Sequence, residues 1–282
     1  MDMNFFESCL YGLFSGLAEF LPVSPEAHQV LLRQLFGIEG KLPLLNLLVH
    51  IGVLLAVLYG AKDTLRRLQR EYQLRKTPRK RRRRPSDTQS AADLSLLKTA
   101  LLPLLLGALI YVKSQNWQLS PHIVAPLLFL NGILLYIPMY LPAGNKDARS
   151  LSPLDGLLIG FAAMLAVFPG ISRIGATTSA AAARGAEAHH GYRWGMLLAI
   201  PALAILIIFD LIAIITIGLE GVKLITILQY LISGITAFIG AYLSIMLARN
   251  ILQKSGIFVF SYYCWGAAIF TFILYLIWTM RN

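Results

Sequence analysis

The sequence predicts an all-α polytopic membrane protein, with six transmembrane helices and two re-entrant helix pairs arranged as an inverted-topology repeat. Three observations carry that expectation. The chain is 57% hydrophobic and 14% charged, and several apolar runs reach the roughly 18 residues that read as a membrane span. Two further apolar stretches are broken by prolines and polar side chains, which denies them a continuous helix. Those two stretches also match each other at a constant spacing, the mark of a duplicated unit. A β-barrel would show short alternating segments instead.

Taken in order, residues 5–36 form the first broken pair, interrupted at Pro22 and Pro25, and residues 42–60 the first plain span. Loop 61–93 follows. It holds twelve of the 25 Lys and Arg residues, between Lys62 and Arg84, and includes Lys80-Arg81-Arg82-Arg83-Arg84. A basic run between spans marks a cytoplasmic loop and lies near anionic lipid headgroups, so the net charge of +11 calls for no nucleic-acid partner. Within it, Pro85-Ser86-Asp87-Thr88-Gln89-Ser90 is flexible by composition. Spans at 94–112 and 121–142 complete a first repeat, 1–142. The second repeat, 143–282, has a broken pair at 153–190 and spans at 194–217, 224–248 and 257–280. Cys9 and Cys264 read as small apolar fillers rather than a disulfide framework. Asp2 and Glu7, ahead of or within the first apolar stretch, argue against the basic start of a cleaved signal peptide.

The internal match pairs Leu10, Gly12, Leu13, Gly16, Ala18, Leu21, Val23 and Pro25 with Leu154, Gly156, Leu157, Gly160, Ala162, Leu165, Val167 and Pro169, at an offset of 144. Each unit carries three spans, an odd number, so the second copy enters the membrane from the opposite side. Charge agrees. With loop 61–93 inside, Lys146, Arg149, Arg184, Arg193, Arg249 and Lys254 also fall inside, for a total of 18. Five fall outside: Arg33, Lys41, Lys113, Lys223 and Arg281. Both termini are then extracytoplasmic. Inverted repeats of this kind place a ligand site near the midplane, where broken helices meet.

Ser24-Pro25-Glu26-Ala27-His28 reads as a helix start: Ser24 at the N-cap, Pro25 at the first helical position, Glu26 in the first turn. The second break, Pro169-Gly170-Ile171-Ser172-Arg173-Ile174-Gly175-Ala176-Thr177-Thr178, also opens a helix. Two such N-termini converging would offer free N–H groups and positive dipole ends to an anion, and Arg173 adds a planar fork suited to phosphate oxygens. Structural roles stay open beside these: Ser24 and Glu26 as helix caps, Arg173 as a tie to Glu19 between the repeats, and His28 as a satisfied interior histidine. The combination of Glu19, His28, Ser172, Arg173 and Thr177 carries the signal. Asn46, His50, His189 and His190 are weaker candidates, the last two in a cytoplasmic turn.

Glu19-Phe20-Leu21-Pro22-Val23-Ser24 followed by His28, with Pro169-Gly170-x-Ser172-Arg173-x-Gly175-x-Thr177, resembles the paired signature motifs of the undecaprenyl-diphosphate phosphatases of the bacitracin-resistance type. The resemblance extends to Gly37-Ile38-Glu39-Gly40, Gly52 and Gly234-Ile235-Thr236-Ala237-Phe238. It implies a bacterial plasma-membrane hydrolase that removes the terminal phosphate of a polyprenyl diphosphate lipid for cell-wall synthesis. Its site would open to the extracytoplasmic side and use a divalent cation, Mg or Ca. Carried over, Glu19 binds the metal or activates the nucleophile, His28 or Ser24 serves as nucleophile or acid/base, and Arg173 clamps the diphosphate. Ser172 and Thr177 donate to phosphate oxygens beside Gly170 and Gly175. The chain departs from the family pattern at Ser15, where a second acidic or amide residue is usual, at Pro25 and Ile174, where serines are usual, and at Cys264, where a basic residue is expected. Glu26 is placed to restore a lost carboxylate. The lost hydroxyls leave a second function open, a divergent paralogue that binds or moves polyprenyl phosphates without hydrolysing them.

Overall fold

The computed structural model describes residues 3–38, 40, 42–78, 86–114, 121–218 and 222–281. Among them the chain is helical, and six helices are long and apolar enough to cross a membrane. The basic run 80–84, Pro85, Glu39 and Lys41 lie outside the described residues.

Helix α1 (Phe5–Phe20) starts on a capping box, in which the Asn4 side chain accepts from the Glu7 N–H and the Glu7 carboxylate accepts from the Asn4 N–H. It stops at the Pro22 break. Helix α2 (Pro25–Leu35) follows, capped by Ser24 with Pro25 in its first turn, as the sequence predicts. Helices α3 (Pro43–Gly60), α4 (Lys62–Lys76), α5 (Thr88–Ser114) and α6 (Pro121–Tyr136) come next, α6 tightening into a 3₁₀ turn at Ile137–Tyr140. The second half comprises α7 (Pro153–Met164), α8 (Arg173–Ala183), α9 (Ala188–Ile217), α10 (Leu224–Lys254) and α11 (Val259–Arg281).

Several bounds differ from the sequence reading, for one physical reason: hydropathy marks the part of a helix that matches hydrocarbon, whereas backbone hydrogen bonding carries the helix on into polar sequence. Thus α5 begins at Thr88 rather than 94, and α10 runs on to Lys254 rather than ending at 248. Helix α9 begins at Ala188, so His189 and His190 occupy its first turn instead of a connecting turn. Loop 61–93 contains α4, and residues 86–90 are tied down rather than loose. The buried Glu71 carboxylate accepts from the Ser86 hydroxyl at 2.5 Å and the Asp87 N–H at 3.1 Å, while the Ser90 hydroxyl donates to Asp87.

The packing between halves follows the internal match. Helix α1 lies along α10 and its counterpart α7 lies along α5, while α3 meets α9 and α6 meets α11. Glycine permits the close approach in both places. A Cβ at Gly12 or Gly16 would overlap the carbonyls of Ser233 or Ala237 on α10. At Gly156 or Gly160 it would overlap Thr99 or the Ala100 carbonyl on α5. The glycines related by the offset of 144 therefore do the same work in each half, bringing backbones together where lipid supplies no hydrophobic drive. Pro103, Pro126 and Pro201 sit inside α5, α6 and α9, positions that membrane helices tolerate when neighbours satisfy the freed carbonyls.

Candidate active site

The two breaks meet in the interior. Arg173, the first residue of α8, places its Nη1 2.7 Å from Glu19 Oε1 near the end of α1, and both side chains are buried. Two charges withdrawn from water in this way are retained only when paired. Ser24 joins the breaks at a second point. Its hydroxyl accepts from the Gly170 N–H at 3.0 Å and lies 3.4 Å from Glu26 Oε2. Ser24 is also the one non-glycine residue with positive φ among those described, at 67°. Such a conformation costs on the order of 1–3 kcal/mol and persists where surrounding contacts over-determine it.

Asn131 on α6 fastens both breaks to the scaffold. Its Nδ2 donates to the Pro22 carbonyl at 3.0 Å and to Cys264 Sγ at 3.3 Å, and its Oδ1 accepts from the Ser172 N–H at 2.9 Å. Sequence reasoning passed over it, because an amide in an apolar helix has no local signature until its partners are known. Asn131→Ala leaves the Ser172 N–H buried without its partner and the Pro22 carbonyl with only the weak Cys264 thiol at 3.7 Å, an expected cost of about 1–3 kcal/mol. A thermal melt of the purified variant measures it, and an unchanged midpoint contradicts the stapling role.

The other residues singled out in the sequence divide into two groups. Ser172 caps α8, accepting from the Gly175 N–H at 3.1 Å, which leaves its own proton free to donate. Thr177 is fully buried beside Gly195 of α9, and its hydroxyl has no partner among the described residues. Glu26 lines a cleft with Arg173, walled by Leu104, Gly107, Met164, Val167 and Leu206 from α5, α7, the turn after α7, and α9. His28 projects elsewhere. Its Nδ1 lies 2.8 Å from the Ser24 carbonyl and its Nε2 2.6 Å from the hydroxyl of Tyr263 on α11, against which its ring stacks. Both ring nitrogens are thus engaged, and Tyr263 is a partner that sequence reasoning missed. Ser15, at the departed acidic position, is buried with a hydroxyl that has no partner among the described residues, and Cys264 is buried against Asn131. His50 pairs with Asp210, while His189 pairs with Glu187 at the start of α9.

Six apolar helices, a buried Glu–Arg pair at two helix breaks and a largely apolar cleft lined by Glu26 and Arg173 define a multi-pass helical membrane protein. The family model described as bacitracin resistance protein BacA matches residues 8–270, and the chain belongs to that family. Among its relatives, an undecaprenyl-diphosphatase of Desulforapulum autotrophicum is 30% identical over 280 residues, covering 96% of this chain and 98% of the relative. One from Carboxydothermus hydrogenoformans is 27% identical over 274 residues, covering 96% and 98%. Undecaprenyl-diphosphatase 2 of Halalkalibacterium halodurans is 29% identical over 279 residues, covering 97% of each chain.

Proposed function

We propose that this protein is an undecaprenyl-diphosphate phosphatase, removing the terminal phosphate of the diphosphate lipid to regenerate the monophosphate carrier of cell-wall synthesis. Family membership and the activity named for the relatives support the reading. Within the molecule one observation carries it: a guanidinium and a carboxylate stand together in a cleft whose other walls are apolar. A ligand with an anionic head and a long isoprenoid tail has both of those chemistries.

In this reading Arg173, held in place by Glu19, grips the diphosphate oxygens, and the free hydroxyl proton of Ser172 donates to one of them. The N-terminus of α8 adds a positive dipole end. Phosphoryl transfer depends chiefly on positioning and on neutralising charge, which this set supplies. Glu26, beside Arg173, is placed to orient the attacking water. Ser24, held by Gly170, keeps the two breaks in register, and His28 supports α2 through Tyr263.

The donor set fits a hard divalent cation. Glu26 and the Ser24 hydroxyl, 3.4 Å apart, and the Glu19 carboxylate beside Arg173 are oxygen donors, and oxygen-only ligands are what Mg or Ca takes. Glu19 and Glu26 would hold it, and the ion would neutralise charge on the diphosphate. Purified protein is expected to release phosphate from a polyprenyl diphosphate with Mg or Ca and to lose activity with EDTA. Retained lipid binding without any release would instead favour the non-hydrolytic paralogue.

The same reading makes 1–142 and 143–282 inverted repeats in the bacterial plasma membrane, each opening on a re-entrant pair, with the site facing the extracytoplasmic side. The mirrored glycine contacts of α1 with α10 and α7 with α5 support it, and so does the basic loop 61–93, which lies inside near anionic headgroups. In a Cys9→Ser, Cys264→Ser background, a cysteine at Ser86 is expected to react with a membrane-impermeant maleimide only in inside-out vesicles. One at Lys223 is expected to react only in intact cells or right-side-out vesicles. Labelling of both from one side would refute the orientation.

A further inference from the structure

The start of α9 carries three side chains that the roles above leave unused: Glu187, His189 and His190. One atom from each, a carboxylate oxygen and two imidazole nitrogens, lies within 4.8 Å of the other two. Consecutive residues of a helix project about 100° apart, yet the ring centroids of His189 and His190 stand 4.0 Å from each other. The Nδ1 of His189 lies 3.0 Å from Glu187 Oε2. The Nδ1 of His190 is closed to solvent and has no hydrogen-bond partner among the described residues.

The backbone and rings around this group are held from both sides. Glu187 follows the bridge in which the Lys146 N–H donates to the Gly185 carbonyl at 3.0 Å and the Glu187 N–H donates to the Lys146 carbonyl at 3.3 Å. One turn into α9, the His190 ring stacks on Trp194 at 5.8 Å between centroids, and Trp194 Nε1 donates to Asp93 of α5 at 2.9 Å. Asp93 also takes both bonds from Arg193, which occupies that cation with a carboxylate of its own. Glu187 supplies the negative charge that a cation needs against the positive end of the α9 dipole. The group lies beyond the far end of α8 from Arg173, and that helix of 11 residues spans about 16 Å.

We propose that Glu187, His189 and His190 form a binding site for a borderline divalent transition metal, with zinc, nickel or cobalt as its ligand class. Mixed imidazole and carboxylate donors favour these ions, whereas Mg and Ca prefer oxygen alone. Bonds of about 2.0–2.1 Å from a tetrahedral zinc put neighbouring donor atoms roughly 3.3 Å apart. The His189–Glu187 separation is already close to that edge. The side chains of His189 and Glu187 are 55% and 44% exposed, so rotation closes the remaining distance and water completes the coordination. The imidazoles bind through nitrogen lone pairs, His189 through Nδ1 in the tautomer that carries its proton on Nε2. The site is separate from the cleft and independent of the hydrolytic reading.

The test is titration of purified protein, freed of any affinity tag, with cobalt(II) while the visible absorption of the bound ion is recorded. One equivalent is expected to bind, to be displaced by zinc, and to be retained in excess Mg or Ca. His189→Ala and His190→Ala should each weaken binding by about tenfold or more, since even the outer-shell partners of a metal are worth about 10–100-fold. Glu187→Gln should weaken it in the same direction. Thermal melts without metal establish that these variants are folded. In the Cys9→Ser, Cys264→Ser background, His189→Cys should keep the ion and add a thiolate-to-cobalt charge-transfer band, a signature that a merely structural histidine would not give. Absence of cobalt binding by the unmodified protein, displacement by Mg, or unchanged affinity in the variant lacking both imidazoles would each overturn the site.

Discussion

Arg173→Ala is expected to reduce phosphate release by about 10³-fold or more, the scale on which a guanidinium that stabilises transferring phosphoryl oxygens contributes. The same substitution also strips Glu19 of its partner at 2.7 Å and leaves a carboxylate buried alone, at an expected cost of about 3–5 kcal/mol in stability. The two effects separate in a second variant. Glu19→Gln with Arg173→Met removes both charges and fills similar volume, so stability should return toward that of the unmodified protein while release stays absent. Arg173→Lys keeps the charge without the fork and should recover stability better than rate. Release rates per folded molecule, alongside thermal melts, decide the matter. Recovery of activity in the doubly neutral variant would remove Arg173 from the chemistry.

Gly170→Ala is the second large effect. Gly170 holds φ at +119°, where a side chain is strained, and a Cβ there would come within 2.5 Å of Leu127 Cβ and 2.9 Å of the Leu128 nitrogen. Backbone cannot yield as a flexible side chain can. The turn must shift, and the Gly170 N–H that donates to Ser24 shifts with it. An expected loss of about 2–4 kcal/mol combines the strained φ with overpacking. Release should fall more steeply than stability, since Ser24 would lose the contact that ties the two breaks together. Melting temperature and initial rate measured on one preparation test this, and a variant with both near normal values would show that the turn has room the structure denies.

Much of the architecture was legible because it is written in local pattern. Length and hydropathy mark the six long helices, and Pro22, Pro25 and Pro169 mark where two others stop. Ser24 announced one helix start and the glycine turn at the second break another; Ser24 and Ser172 cap the helices that follow. The glycines at an offset of 144 pointed to equivalent positions, and each pair meets a helix of the other half. Helix extents were less legible, because nothing in the hydropathy of residues 188–193 or 249–254 separates a helix that continues into polar sequence from one that ends.

Within the candidate site, the sequence alone determined the residue types: an anion-gripping arginine, a carboxylate near it in kind, and hydroxyls at two breaks. It did not determine who faces whom. Glu19 and Arg173 are 154 residues apart and in contact, Glu26 lines a cleft with Arg173, and His28 turns to Tyr263, 235 residues away. Asn131 and Asp210 carried no motif and acquired meaning only through distant partners, the one fastening both breaks and the other orienting His50. Burial in an apolar interior makes each polar group find a partner or pay for isolation, but which partner it finds depends on how helices from opposite halves cross. Composition and period are properties of neighbouring residues and survive in one dimension. The pairing of charges across a membrane interior is a property of packing, and only the tertiary structure decided it.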